Sequence, residues 1–238
     1  MSDPTWRNTI NNNPIQQSIR QFLNKFPLKT YRTLHRPREL DCSKLYIWGS
    51  TKTSLDQECV KWQVYLKFSK YDFENETSNE PLMSPSGKLP FLVLTTGENL
   101  VNDAIERYIS DRYSANFGSL SNEQQADSQA YIALADTKLR NALYKNLAIK
   151  ELLTRKPVLN GEEIYQEAAE ALQSISVALG DKDFFFGSLP TFIDAIIFSY
   201  THVMLAIKTK ELTELVQKHS NLIKFYKRIN NDYFSLEF

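Results

Sequence analysis

Two cysteines, Cys42 and Cys59, and three histidines, His35, His202 and His219, are the residues best suited to nucleophilic or metal chemistry in this chain. The cysteines have no CxxC spacing and the histidines are scattered, so neither a redox pair nor a metal-ligand set is expected. Cys59 falls among apolar neighbours in helical register, where a thiol is more often a small core residue than a nucleophile. Hydroxyls are denser: Ser50, Thr51, Thr53 and Ser54 follow the apolar run Leu45 to Trp48. They are candidate nucleophile-activating groups by composition only, since serine- and threonine-rich loops are common for reasons of turn chemistry alone. Leu89-Pro90 is the sharper feature. Ser84-Pro85 and Ser86-Gly87 stop the chain, and the apolar run Leu89 to Leu94 then opens on a proline that cannot donate to a sheet ladder. Far downstream, Thr191 and Asp194 have the spacing of a capping box and read as structural.

These residues need elements to hold them, and the composition allows a substantial core. The chain has 238 residues, 42% hydrophobic and 12% aromatic, enough for one large or two small packed domains. Lysine plus arginine balances aspartate plus glutamate, 28 against 28, which gives no reason to expect nucleic acid as a partner. No window approaches the roughly 18 consecutive apolar residues of a membrane span, and Met1-Ser2-Asp3-Pro4 does not open a signal peptide. The expectation is a soluble or peripheral protein of a reducing compartment, without cofactor or metal.

In chain order, residues 1 to 14 are polar and asparagine-rich. Ile15, Ile19, Phe22, Leu23 and Phe26 then form an apolar stripe of helical period ended by Pro27. From Arg20 to Lys44, seven basic residues (among them Lys25, Lys29 and Arg32) against Glu39 and Asp41 leave a local charge of +5. Such a segment either docks on a membrane surface or partner, or folds back on the domain with its charges solvated. Leu45 to Trp48 is a short strand, Cys59 to Phe68 a mostly buried helix capped by Asp56 or Ser54, and Tyr71 to Asn75 a half-exposed strand. Phe91 to Leu94 and Asn99 to Val101 are two further strands, after which Asp103 is expected to cap a helix from Ala104 to about Tyr113. Beyond Phe117-Gly118-Ser119 the pattern is helical: Ser121 to Leu147, Glu162 to Leu179 stopped by Gly180, a nearly all-apolar helix from Thr191 to about Lys208, and a last one near Asn221 to Tyr233.

The order βαβ then ββα, with a proline opening the third strand, resembles a thioredoxin-like domain. That resemblance implies a cis Leu89-Pro90 bond, against an ordinary trans corner, and a Leu89 backbone free to pair with an extended peptide. An α/β thioredoxin-like half over 45–116 followed by an all-α half over 117–238, behind an extension over 1–44, resembles the glutathione S-transferase fold. In transferases of this fold, the helix after the fourth strand takes an anion at its N-terminus. Here the acid-serine pair of that site reads Asn102-Asp103, so a capping Asp103 carboxylate would repel glutathione.

Within that fold, Glu58-Cys59-Val60-Lys61-Trp62-Gln63-Val64-Tyr65-Leu66-Lys67-Phe68 and Ser84-Pro85-Ser86-Gly87-Lys88-Leu89-Pro90 resemble the metaxin family, although the family often has leucine where Val60 stands. Phe26-Pro27-Leu28-Lys29-Thr30-Tyr31 is similar to the smaller, metaxin-2-like receptor subunit of the fungal mitochondrial sorting and assembly machinery. Phe184 to Gly187, Asp194-Ala195 and Ser220 to Phe234 are also metaxin-like, so the resemblance covers about residues 26 to 234. It implies a non-enzymatic receptor on the cytosolic face of the mitochondrial outer membrane. Its implied partners are a membrane-embedded β-barrel assembly protein, a second metaxin-like subunit, and β-barrel precursors presenting a C-terminal sorting signal. A glutathione-dependent transferase and a purely dimerising scaffold are the alternatives.

Overall fold

A computed structural model describes residues 40–49, 52–146 and 161–234. The N-terminal half is a four-stranded sheet in the order β2-β1-β3-β4. Strand β1 (Ser43–Ile47) runs parallel to β2 (Phe73–Thr77) and antiparallel to β3 (Phe91–Val93), and β4 (Asn99–Leu100) is antiparallel to β3. The parallel pair requires a crossover, which helix α1 (Gln57–Phe68) supplies. Asp56 caps α1 by accepting from the Cys59 amide at 2.9 Å, and Trp62, Val64, Leu66 and Phe68 are buried beneath it. Strand β2 starts two residues later than its alternating pattern suggested. Tyr71 is held outside the ladder by the turn closing α1, its amide on the Leu66 carbonyl and its hydroxyl on Ser43 Oγ at 2.6 Å.

After β4, helix α2 (Asp103–Tyr113) ends the α/β half. The helical half follows as α3 (Asn122–Leu134), a π-helical turn over Ala135–Leu139, α4 (Arg140–Asn146), α5 (Gly161–Leu179), α6 (Phe192–Ala206), α7 (Lys210–Gln217) and α8 (Ser220–Phe234). The sequence suggested one unbroken helix with its apolar stripe starting at Tyr131. Instead a π turn inserts an extra residue, and the expected positions Ala135, Leu139 and Leu143 keep the buried face. Ala135, Leu139, Ala142 and Leu143 are buried, whereas Tyr131, Ile132 and Leu134 only flank the core. Helix α7 was not foreseen. Lys208, with φ of +56°, ends α6, and Leu212, Leu215 and Val216 give the next eight residues a buried face.

Helix α6 is the centre of the helical half, as its apolarity on most sides requires. Ile193, Ala195, Ile196, Ile197, Phe198, Tyr200, Val203 and Met204 are all buried, each large apolar side chain contributing about 1.5–3 kcal/mol relative to exposure. The seam between the halves is aromatic: Phe192 meets Trp62 at 5.6 Å and Tyr65 edge-on at 5.1 Å between ring centroids. Beside it, Gln57 Nε2 donates to Ser199 Oγ at 2.9 Å. No helix of the described residues is long and apolar enough to cross a membrane.

Candidate functional site

The C-terminal ends of the parallel strands β1 and β2 bring the strand-exit loop, the N-terminus of α1 and the proline corner together. Parallel strands place their exit loops at one end of the sheet, α1 starts there from the β1 exit loop, and β3, antiparallel to β1, begins at that same end. Gly49, with φ of +86°, turns the chain out of β1 in a conformation that a residue with Cβ adopts only at a cost. The loop then closes on itself. Ser54 is fully buried; its Oγ donates to the Trp48 carbonyl at 2.6 Å and accepts from the Asp56 amide at 3.0 Å. The Ser54 amide donates to Gln63 Oε1 at 3.1 Å. Among the described residues of this loop the one buried hydroxyl therefore holds backbone. Ser50 and Thr51 lie outside the described residues. Cys59 is fully buried with its Sγ accepting from the Trp48 amide at 3.4 Å. Burial, then the nearby Asp56 carboxylate, raises its thiol pKa far above the usual range, which keeps it protonated and inert.

The Leu89–Pro90 peptide bond is cis. Leu89 and Pro90 are both buried, and the ladder of β3 with β1 begins only at the Phe91–Tyr46 pair. Across from Leu89, the Trp48 amide and carbonyl are already engaged by Cys59 and Ser54. The Leu89 amide and carbonyl thus have no hydrogen-bond partner among the described residues, although a buried main-chain pair normally has one. Next to this corner the chain exposes apolar side chains that a folded monomer has little reason to present. Leu82 is 84% exposed, Leu55 62% and Met83 53%. The Leu82-Met83 pair was visible in the sequence, but it lay between Pro81 and Ser84 in what reads as an ordinary loop.

The start of α2 differs from expectation. Asn102, not Asp103, is the cap residue, and its side chain makes no capping bond. Its backbone, at φ +45° and ψ −124°, turns the carbonyl to accept from the Ile105 amide at 2.9 Å. Because that carbonyl fulfils the cap, Asp103 becomes the first helical residue. Its carboxylate still stands in the first turn, where it competes with any incoming anion.

Across the seam, side chains of the helical half bridge to α1. Arg140 reaches Glu58 of α1 at 3.4 Å, Asp136 at 3.0 Å and the Tyr200 hydroxyl at 3.2 Å, and Tyr200 donates to Asp136 at 2.7 Å. Glu58 is also paired with Lys61. The π turn carries Asp136 and, one turn on, Arg140, so the register change and the network arise together. Apart from the i,i+4 pair Asp136–Arg140, its partners lie 60 to 82 residues apart, and no sequence spacing reveals them.

Thr191 and Asp194 close a capping box over the first turn of α6. Asp194 Oδ2 accepts from the Thr191 amide at 2.8 Å and hydroxyl at 2.6 Å, and Oδ1 accepts from the Phe185 amide at 2.9 Å. Asp194 is fully buried. Burial raises its carboxyl pKa to about 6 even against these donors and the more distant Arg228. The docking residues read from the sequence, Ile15, Ile19, Arg20, Phe22, Leu23, Lys25, Phe26, Lys29 and Arg32, lie outside the described residues. Among the described residues no group of histidine, cysteine, aspartate and glutamate could hold a metal ion.

Comparison with known proteins agrees with the architecture. Residues 57–151 match the glutathione S-transferase N-terminal domain family and residues 168–229 the glutathione S-transferase C-terminal domain family. A tau-class glutathione S-transferase from mango superposes with a TM-score of 0.61 at 15% identity, covering 81% of this chain and 92% of that one. A glutathione S-transferase from Methylobacterium radiotolerans, in complex with glutathione sulfonate, gives 0.60 at 16% identity over 81% and 94%. The chain therefore has the glutathione S-transferase fold, a thioredoxin-like α/β half followed by a helical half.

Sequence relatives narrow this further. Mouse metaxin-1 is 28% identical over 234 aligned positions, 79% of this chain and 72% of the relative. Zebrafish metaxin-3 is 34% identical over 169 positions, 52% of this chain and 53% of the relative. Human metaxin-2 is 26% identical over 196 positions, 66% and 74% respectively. Along most of its length the chain is similar in sequence to the metaxin family.

Proposed function

We propose that this chain is a non-enzymatic, peripheral subunit on the cytosolic face of the mitochondrial outer membrane. In this reading it is the smaller, metaxin-2-like member of the sorting and assembly machinery. There it binds a membrane-embedded β-barrel protein and a second metaxin-like subunit, and it receives β-barrel precursors through their C-terminal sorting signal. Similarity to metaxins supports the general role, and the unpaired main chain of Leu89 carries the receptor part. A precursor signal is an extended, partly apolar strand. The Leu89 amide and carbonyl offer it main-chain pairing, while Leu55, Leu82 and Met83 offer apolar contact at the same sheet end. Catalysis finds no comparable support: Ser54 is engaged with backbone, Cys59 is protonated and enclosed, and the seam in front of α1 is bridged by the Glu58–Arg140–Asp136–Tyr200 network.

Residues 15–32 fit this role as the docking segment, with Ile15, Ile19, Phe22, Leu23 and Phe26 for apolar burial and Arg20, Lys25, Lys29 and Arg32 for anionic lipid or an acidic rim. The test uses a photo-crosslinking peptide bearing a precursor C-terminal signal, added to the complex in outer-membrane vesicles. Crosslinks should map to residues 82–90, and Leu82→Ser with Met83→Ser should weaken them at least several-fold while leaving assembly intact. Crosslinks elsewhere on the chain, or none above a scrambled peptide, would favour the dimerising scaffold.

A further inference from the structure

Away from the proline corner, a groove of about 420 Å³ opens along the opposite stretch of the seam between the two halves. Its walls come from α1, α2, the linker after α2 and the first turn of α6, so it exists only in the packed chain. Tyr65 and Phe117 stack at 4.8 Å between ring centroids, and Phe192 meets Tyr65 edge-on at 5.1 Å, which gives the groove aromatic walls. Its polar lining is rich in acceptors. Glu106 is half-buried and its carboxylate has neither a hydrogen bond nor an ion pair among the described residues. Burial and then the Asp103 carboxylate raise its pKa, while Lys61, already paired with Glu58, lowers it only from a distance. The Tyr65 hydroxyl likewise has no bonded partner among the described residues, and Ser110 lies at the rim.

A carboxylate left half-buried without a counter-charge costs free energy that a cation would recover. The nearby arginines do not provide it. Arg107 Nε donates to the Asp103 carbonyl at 3.3 Å, and Arg112 lies over the Tyr108 ring. We propose that this groove is a binding site for an arginine side chain of a partner polypeptide, the guanidinium pairing with Glu106 while its plane lies against the half-buried Phe117 ring. Arginine fits better than lysine because a planar guanidinium can engage both carboxylate oxygens and stack on an aromatic face, whereas an ammonium is a compact, strongly hydrated point charge. The site is independent of the proposed role of the proline corner, and nothing in it calls for a β-barrel precursor.

The probes are acetyl-Gly-Arg-Gly-amide and its lysine and citrulline counterparts, titrated into the full chain and followed by NMR shifts of the Phe117 and Phe192 rings. The arginine peptide should give saturable shifts with an affinity at least tenfold above the citrulline peptide, several-fold above the lysine peptide, and above free guanidinium ion. Glu106→Gln should weaken it at least tenfold with an unchanged melting temperature. Should that variant be unstable, Ser110→Arg, which fills the rim with a tethered guanidinium, should abolish the shifts instead. Equal binding of arginine and citrulline peptides, no saturable shift at millimolar peptide, or full binding by the Glu106→Gln or Ser110→Arg variant would overturn the assignment. Free guanidinium binding as tightly as the peptide would also overturn it, because the groove would then be a site for small cations.

Discussion

Replacing Asp194 with alanine is the most demanding test of how the helical half is held together. The side chain accepts from the Thr191 amide, the Thr191 hydroxyl and the Phe185 amide, all within 2.9 Å and all buried. Losing the cap costs about 0.5–2 kcal/mol, and stranding the Phe185 amide away from water adds about 1–3 kcal/mol. A total of roughly 1.5–5 kcal/mol is expected. The cost should depend on pH. Asp194 titrates near 6 in the folded chain, above its ordinary 3.8. Between those values the folded state binds more protons than the unfolded state, so the contribution is complete below about 3.8 and declines as pH rises through about 6. At about 1.4 kcal/mol per pH unit, wild-type chain gains about 1 kcal/mol between pH 7 and pH 5 that the alanine variant does not. Urea unfolding followed by tryptophan fluorescence at the two pH values measures both terms. The variant should be less stable at pH 7 and further behind at pH 5, and Thr191→Ala should cost about 0.5–2 kcal/mol. An unchanged melting temperature with lost partner binding would show that Asp194 belongs to an interface. A larger deficit at pH 7 than at pH 5 would show that its three donors favour the anion over burial.

Glutathione should not bind. Asn102 provides no side-chain cap, Asp103 stands where a ligand carboxylate would arrive, and Glu58 and Arg140 bridge the seam in front of α1; calorimetry with millimolar glutathione should show no heat, and a micromolar dissociation constant would revive the transferase reading. Deleting residues 1–26 should leave the thermal stability of the chain nearly unchanged and greatly reduce its co-sedimentation with outer-membrane vesicles carrying the barrel partner. The reverse result would mean that the stripe from Ile15 to Phe26 folds back on the domain.

Much of this architecture is local, which is why the sequence alone reaches it. A turn cluster before Pro90, an Asp56 cap, a glycine stop at Gly180 and a threonine-aspartate box before an apolar helix each act within a few residues, where covalent spacing nearly fixes geometry. Family wording around Trp62 and Pro90 carried the rest. What the tertiary structure decided is where elements distant in the chain oppose one another. The π turn follows from how the helix must pack: the periodicity of Tyr131 to Leu147 found the buried Ala135, Leu139 and Leu143 but not the register change between them, nor that Tyr131, Ile132 and Leu134 only flank the core. Asp103 lost the cap to the Asn102 carbonyl because a backbone turn can satisfy helix amides as well as a side chain can. The links of Arg140 to Glu58 and Tyr200 join residues whose separation in sequence carries no periodic signal, and only packing the two halves together makes them neighbours; the engagement of Ser54 is likewise decided by how its loop folds against Trp48 and Gln63.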